Sequence, residues 1–320
     1  MSNDKSFIIT VDTEGDNLWR WKDGDAITTE NTVWLSRFQK LCNEYGFKPV
    51  WLSNYEMVSD DRFADFIAGV EEGGLGELGM HLHAWNNPPV FDLERAESGA
   101  PYLIEYPADV MEEKIAFLTE FIKKRTGITP VSHRAGRWAM NGNYYDLLIK
   151  YGYEIDCSVT PHVDWRSSPG MTAGSAGSNY QSSPEEPYWI EGKNGGKLLE
   201  VPVTVRCRKA FIRPSALTAK SLLKEAYHSL KPRTFWLRPN GNNENEMLDL
   251  ISREAKGGKD YVMFMIHSSE LMPGGSPTFR TQDDIEKLYA TLNILFREAS
   301  ESFKGTTLKE YHAGKKTGTI

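Results

Sequence analysis

Cysteine is scarce in this chain: Cys42, Cys157 and Cys207 stand far apart, and no Cys-x-x-Cys occurs. That excludes a disulfide framework or a cysteine-built zinc cluster, and the three read as packed thiols in a reducing cytoplasm. No Gly-x-Gly-x-x-Gly and no P-loop is present, so a nucleotide cofactor has no visible cradle. No uninterrupted apolar run is long enough to span a bilayer. The opening Met-Ser-Asn-Asp-Lys-Ser leads straight into an apolar strand, without a basic-then-apolar stretch, so a cytoplasmic location is expected. Positive charge is not in excess either. A net charge of -7 argues against a nucleic-acid partner, which normally meets a basic stripe. What is there is ordinary globular composition, 40% hydrophobic and 25% charged over 320 residues, a length that one α/β barrel fills.

Apolar β-branched runs alternate with helical periodicities along the chain. Strands are expected at Phe7–Val11, Pro49–Leu52, Glu77–His83, Pro130–Arg134, Glu154–Val159, Leu198–Val205 and Tyr261–Ile266. Pro202 demotes the sixth of these towards an edge or a bulge. Helices are expected from Thr28 to Tyr45, with a cap in its Thr/Glu-rich start, and at Asp60–Val70, Asp109–Arg125, Asn141–Tyr151, Pro214–Leu230, Asn243–Lys256 and Asp283–Phe303. A short closing segment begins at Thr306, and the Gly314-Lys315-Lys316 tail is expected to fray. About seven or eight such alternations favour one α/β domain over residues 1–320, a deformed (β/α)7–8 barrel with right-handed crossovers. Loop insertions fall at about 85–108 and 161–197, the first rich in Pro and aromatics, the second in Gly, Ser and Pro.

Four strand ends carry ionisable groups that an apolar strand does not need for folding. They are Asp12-Thr13-Glu14, His81-Leu82-His83, Arg134 and His267. The carboxyl ends of parallel barrel strands meet on one face, so these groups can converge. His81 and His83 share a face because the strand period is two. Taken singly, each has an ordinary reading: Asp12 or Glu14 as a helix cap, Arg134 or Arg137 as an ion-paired arginine, His267 as a hydrogen-bonded loop residue. Jointly, two imidazoles and a carboxylate make a three-ligand site for a divalent metal with open positions. A second carboxylate as base and a separate histidine as acid complete the parts for metal-assisted hydrolysis of an acyl or amide bond. Trp19, Trp21, Trp85, Trp138 and Trp165 lie next to these motifs, where they either stack on sugar rings or simply anchor loops.

Thr10-Val-Asp12-Thr-Glu14-Gly15, Gly79-Met-His81-Leu-His83, His133-Arg134-Ala-Gly-Arg137-Trp138 and Met265-Ile-His267 together resemble the polysaccharide deacetylases, the NodB-homology group related to carbohydrate esterase family 4. The resemblance runs from about Phe7 to the His267 region. It implies a deformed barrel and metal-dependent removal of acetyl groups from N-acetylated sugars. It further implies Asp12 as base, His81 as a metal ligand, Arg134 as the group orienting the base and His267 as general acid. Asp156 is a candidate for tuning a catalytic histidine, with Asp164-Trp165 competing for that part. The family places adjacent aspartates where Asp12 and Glu14 are separated by Thr13, and histidines four apart where this chain has Trp85. Glu14, His81 and His83 are therefore the expected ligands, zinc the first choice of metal, with cobalt, nickel or manganese as alternatives. Trp85, Arg137, Trp138 and Trp165 are the expected substrate contacts. In these departures the chain is similar to deacetylase-like proteins found with surface-polysaccharide assembly.

Two rivals follow from the same residues. An amidohydrolase-type barrel also carries His-x-His on a strand, but on its first strand, whereas this pair is on the third. A barrel that binds glycan without turnover is the rival from outside enzymology.

Overall fold

The structure, a computed structural model, describes residues 5–22, 24–214 and 218–317. β1 (Ser6–Thr13) is buried throughout, as its apolar β-branched sequence requires. It lies between β10 (Tyr261–His267) and β2 (Pro49–Ser53), and β3 (Glu77–Leu82), β4 (Ser132–Ala135), β5 (Ile155–Asp156) and β7 (Lys197–Glu200) follow in parallel order. β6 (Tyr188–Glu191) adds an antiparallel edge beside β7, and β11 (Lys304–Gly305) pairs with β1.

Side-chain alternation divides the sheet into two faces. Phe7, Ile9, Val11, Leu78 and Met80 face outward onto Phe38 of α1 (Thr32–Glu44), Ile67 of α3 (Asp61–Glu72), Leu118 of α4 (Ala108–Thr126) and Leu292 of α8 (Gln282–Ser300). Ile8, Leu52, Ile155, Leu199, Met263 and Met265 fill the inside of the curl. Gly79 sits on the inner face, where a Cβ would come within 2.6 Å of the Leu52 side chain. The remaining outer helices are α2 (Tyr55–Ser59), α5 (Gly142–Lys150) and α7 (Glu244–Lys256), whereas α9 (Leu308–Thr317) adds Leu308 and Tyr311 to the inner cluster.

The curl is a deformed barrel, and its irregular side has a local cause. Pro202 has no N–H to offer a ladder, and β7 ends at Glu200. Single backbone bonds then bridge the gap: Val201 N to Asp156 O, Val203 N to Val159 O, Leu237 N to Thr204 O and Met265 N to Leu237 O, at 2.8–3.2 Å. A separate antiparallel pair, β8 (Val205–Arg208) and β9 (Arg233–Trp236), stands outside this circuit, with α6 (Ala219–His228) between its strands.

Several expectations need correction. β7 is flanked on both sides, so Pro202 terminates an inner strand and does not mark an edge. The second loop insertion contains β6, whose Tyr188 and Trp189 supply strand propensity late in a Gly/Ser-rich stretch. The helix expected at Pro214–Leu230 is present as α6, while 215–217 lie outside the described residues. The Gly314-Lys315-Lys316 tail is helical and tied down by the Lys315–Asp260 ion pair. Cys42 and Cys157 are buried, but Cys207, at an outward position of β8, is exposed. Asn31 stands at the N-cap of α1 without a capping bond; its amide donates instead to Glu14 O and Ser268 Oγ, both at 2.8 Å.

Candidate active site

The parallel register delivers the chemistry to one rim. Asp12 pairs with His267 across β1 and β10, and His81 pairs with Arg134 across β3 and β4. A cavity of about 460 Å³ opens there, lined by Asp12, Glu14, His81, His83 and His267 at its floor. Trp19, Trp21, Trp85, Tyr102, Trp138 and Trp165 form most of its wall.

Glu14, His81 and His83 converge. Glu14 Oε2 is 3.2 Å from His83 Nε2 and 3.6 Å from His81 Nε2, and one donor atom from each residue falls within 4.8 Å of the other two. The donor set suits a divalent cation: two ring nitrogens, one carboxylate oxygen and no competing cation between them. His81 Nδ1 is 3.0 Å from Arg134 O, a carbonyl that can only accept. Nδ1 therefore carries the hydrogen, and in the neutral ring Nε2 keeps its lone pair toward Glu14. The environment also separates the two rings. Burial lowers both, but Asp12 and Glu14 outweigh it at His81 and raise that ring. Burial and the neighbouring His81 hold His83 at about 3, so it is neutral at ordinary pH. The His83 ring stacks on Trp85, centroids 4.4 Å apart, and its buried Nδ1 has no hydrogen-bond partner among the described residues.

Asp12 is held apart from this group by Arg134. The guanidinium is fully buried; Nη1 donates to Asp12 Oδ1 at 2.5 Å and Nε to Cys157 O at 3.0 Å. Burial alone would raise the Asp12 carboxyl, but Arg134, His81 and His267 outweigh it and hold it at about 2. Its second oxygen, Oδ2, lies 3.9 Å from His267 Nε2, and Glu14 Oε1 is equally far from that nitrogen. Behind the ring, His267 Nδ1 meets Glu270 Oε2 and Arg238 Nη2, each at 3.1 Å. A carboxylate only accepts and a guanidinium only donates, so Nδ1 can serve one of them at a time.

The two loop insertions clasp each other to make one wall. Gly99 N donates to Gly170 O at 2.9 Å, and a Cβ on Gly99 would collide with Pro169 O at 2.0 Å. Glu105 accepts from Met171 N and Thr172 N at 2.9 and 2.7 Å. The Arg137 guanidinium, carried by a residue at φ 55°, donates to Ala100 O and Pro169 O and lies 4.0 Å above the Tyr102 ring. Arg137 thus lines the cavity as the clamp between loops. Trp138 and Trp165 stack in parallel, 6.3 Å apart and 9° from coplanar.

Of the residues singled out in the sequence, Asp12, Glu14, His81, His83, Trp85, Arg137, Trp138, Trp165 and His267 line the cavity, with Arg134 directly beneath. Asp156 is the exception. Its carboxylate is 2.6 Å from His133 Nδ1 on the outer face of the sheet, and the carboxylate behind His267 is Glu270. Asp164 is paired with Arg166 at the surface. Sequence reasoning missed Glu270, Arg238, Glu56 and Ser268. Glu56 accepts from Gly15 N at 3.3 Å, and Ser268 Oγ accepts from Glu14 N at 3.0 Å. Glu270 had a signal: His-Ser-Ser-Glu places an acid where it caps the short turn after β10. Arg238 follows β9, a strand too short to be noticed.

No family model matches the sequence, and no curated protein matches it. Solved structures do. A protein from Mycobacterium smegmatis assigned as a polysaccharide deacetylase superposes with a TM-score of 0.56 at 14% identity, over 100% of this chain and 93% of its own. A branching enzyme of the GH57 type from Thermococcus kodakaraensis gives 0.53 at 10% identity, over 96% of this chain and 70% of that one. Its counterpart from Pyrococcus horikoshii gives 0.51 at 10% identity with the same coverage. At such identities the likeness is one of fold: the chain is a deformed (β/α) barrel of the kind seen in polysaccharide deacetylases.

Proposed function

We propose that the protein is a metal-dependent deacetylase that removes the acetyl group from an N-acetylated sugar, such as a nucleotide- or lipid-linked precursor of a surface polysaccharide. One observation carries the proposal: the Glu14–His81–His83 triangle shares a rim with an ionised Asp12 and an open His267. Glu14, His81 and His83 would hold the cation, zinc by donor type, with cobalt, nickel or manganese as alternatives. When bound, such an ion acidifies water and polarises a carbonyl oxygen. Asp12 takes the proton from the attacking water, since Arg134 keeps it ionised and occupies only Oδ1. As the water oxygen bonds to the acetyl carbon and the C–N bond breaks, His267 Nε2 gives its proton to the leaving amine. Glu270 is the positioning residue behind that ring. The tryptophan wall offers flat faces for pyranose rings.

In this proposal the described barrel is one unit, the two insertions shape its rim, and the setting is cytoplasmic. Unpaired cysteines support the last point. Among the described residues, no helix is long and apolar enough to cross a membrane.

The test has two readouts: divalent metal in the purified protein, and acetate plus free amine released from a panel of N-acetylated sugar nucleotides. A stoichiometric ion lost in His81→Ala/His83→Ala, together with acetate release, is the expected result. A protein that binds the sugars but holds no ion and releases no acetate would be the glycan-binding barrel instead.

A further inference from the structure

α6 is assembled inside out. At 3.6 residues per turn, Leu222, Leu223, Ala226 and Tyr227, with Leu230 just beyond, occupy one arc, and Lys220, Lys224 and His228, with Lys231, occupy the other. A helix so divided ordinarily buries its apolar arc. Here Leu223, Leu230 and Tyr227 are 73%, 68% and 61% exposed, and no residue of α6 is buried. The helix meets the body through a polar residue. Glu225 accepts from Ile212 N at 2.7 Å and pairs with Arg233 of β9 at 2.5 Å. Phe211, beside Ile212, is also exposed.

Charge sets the same stretch apart. From Arg206 to Arg233 there are eight lysines and arginines and one carboxylate, Glu225, in a chain of net charge -7. Arg206, Arg208 and Arg233 are paired with carboxylates. Lys209, Arg213, Lys220, Lys224 and Lys231 are exposed, and none forms an ion pair among the described residues.

We propose that α6 docks the protein on an anionic lipid bilayer. The leucines and Tyr227 enter the interface while the flanking cations meet the headgroups, as basic amphipathic helices do. Charge names the occupant. A second copy packed symmetrically on this face would bring the same cations together, whereas an acidic bilayer neutralises them and covers the leucines at once. The placement also connects with the catalytic rim. A groove of about 360 Å³ runs from Thr234 and Glu246 to Trp165, Arg238 and Glu270. Glu246 lies 3.8 Å from Arg233, the residue that anchors α6 through Glu225. Trp165 and Arg238 belong to the cavity wall as well.

The experiment is co-sedimentation of the full chain with vesicles of phosphatidylcholine alone or mixed with phosphatidylglycerol. Binding at least about tenfold stronger to the anionic vesicles is expected, and weakening with added salt. Leu223→Glu/Leu230→Glu should abolish sedimentation with an unchanged melting temperature, because both side chains are exposed. Lys220→Glu/Lys224→Glu/Lys231→Glu should weaken it about tenfold or more. The proposal is overturned by equal binding to both vesicle types or by none. Light scattering that finds a dimer which Leu223→Glu dissociates would overturn it too.

Discussion

Two of the histidine–carboxylate pairs differ in one respect: one is open and the other is sealed. His267 and His133 each hold a carboxylate at Nδ1, Glu270 at 3.1 Å and Asp156 at 2.6 Å. What differs is the other nitrogen. His133 Nε2 meets the Tyr144 hydroxyl at 2.8 Å, fully buried between sheet and α5, whereas His267 Nε2 looks into the cavity. Proton transfer needs a partner that can come and go. The sealed pair has none, and it knits β4, β5 and α5 together. Glu200, next to Asp156 in register, makes the sealed side a crowded one: burial and Asp156 push its carboxyl well above the usual range. A histidine–carboxylate pair is therefore no mark of an active site until the free nitrogen is located.

Breaking the open pair should have the largest effect on turnover. His267→Ala is expected to lower acetate release by about 10²–10⁴-fold while the metal content stays the same, since the ring is outside the ligand triangle. Unchanged release in that variant would remove His267 from the chemistry. Breaking the sealed pair should act on stability instead. His133→Ala takes one hydrogen bond from the buried Asp156, which keeps those from Ser158, and leaves a cavity, together costing about 2–4 kcal/mol. Denaturant unfolding would measure that loss, and kcat per folded molecule should be preserved. If turnover fell and stability did not, the assignment of the two pairs would be reversed.

The sequence showed the open pair's histidine and hid its carboxylate for reasons that lie in strand geometry. β1 and β10 are long, mostly apolar runs with Asp12 and His267 at or next to their last position, and His81 is next to last in the wholly buried β3, so a polar residue near these carboxyl ends stands out. Period two alone put His81 and His83 on one face. For β5 the same rule gave nothing, because Ile155 and Cys157 are buried on one side and Asp156 on the other. Nothing in the local sequence says which side the barrel interior occupies, so a reading that brings Asp156 to a histidine of the cavity picks the wrong one. Arg238 follows β9 in a loop and Glu56 stands in the first turn of the five-residue α2, and neither segment is long enough to show a periodicity. α6 misleads in the opposite way: its helical pattern is plain, but the pattern alone would bury the face that the structure exposes.

Glu270 provides a sharper contrast between the pairs than deletion of either ring. Its burial would raise it, but Arg238 and His267 outweigh that and hold it at about 2, below the ordinary 4.5. A carboxyl depressed in the folded state adds stability above its unfolded pKa and loses it as pH falls through the folded one. The contribution, on the order of 3 kcal/mol, should thus be complete above about pH 4.5 and be lost towards pH 2. Glu270→Gln should flatten that part of the stability profile. It should also cut kcat by about 10–100-fold, because the ring loses the carboxylate that orients it. A merely structural Glu270 would change the melting temperature and leave kcat per folded molecule where it was.

The smallest expected effect tests the wall, where aromatic stacking is all that is at stake. Trp165 and Trp138 lie parallel at 6.3 Å, but Trp138 is 8% exposed and carries the Arg134 guanidinium 5.0 Å over its ring, so it supports the floor as well. Trp165 carries no guanidinium among the described residues; its Nε1 donates to Thr160 Oγ1 at 2.9 Å and its ring meets Trp236 edge-on at 6.3 Å. Trp165→Ala should therefore raise KM about 3–10-fold, the worth of one stacked ring at about 1 kcal/mol, with kcat nearly unchanged. Trp138→Ala should lower kcat too, since the arginine beneath it sets the charge of Asp12. Equal effects of the two substitutions on kcat would mean that the outer ring is also part of the floor, and that the wall does more than hold a sugar.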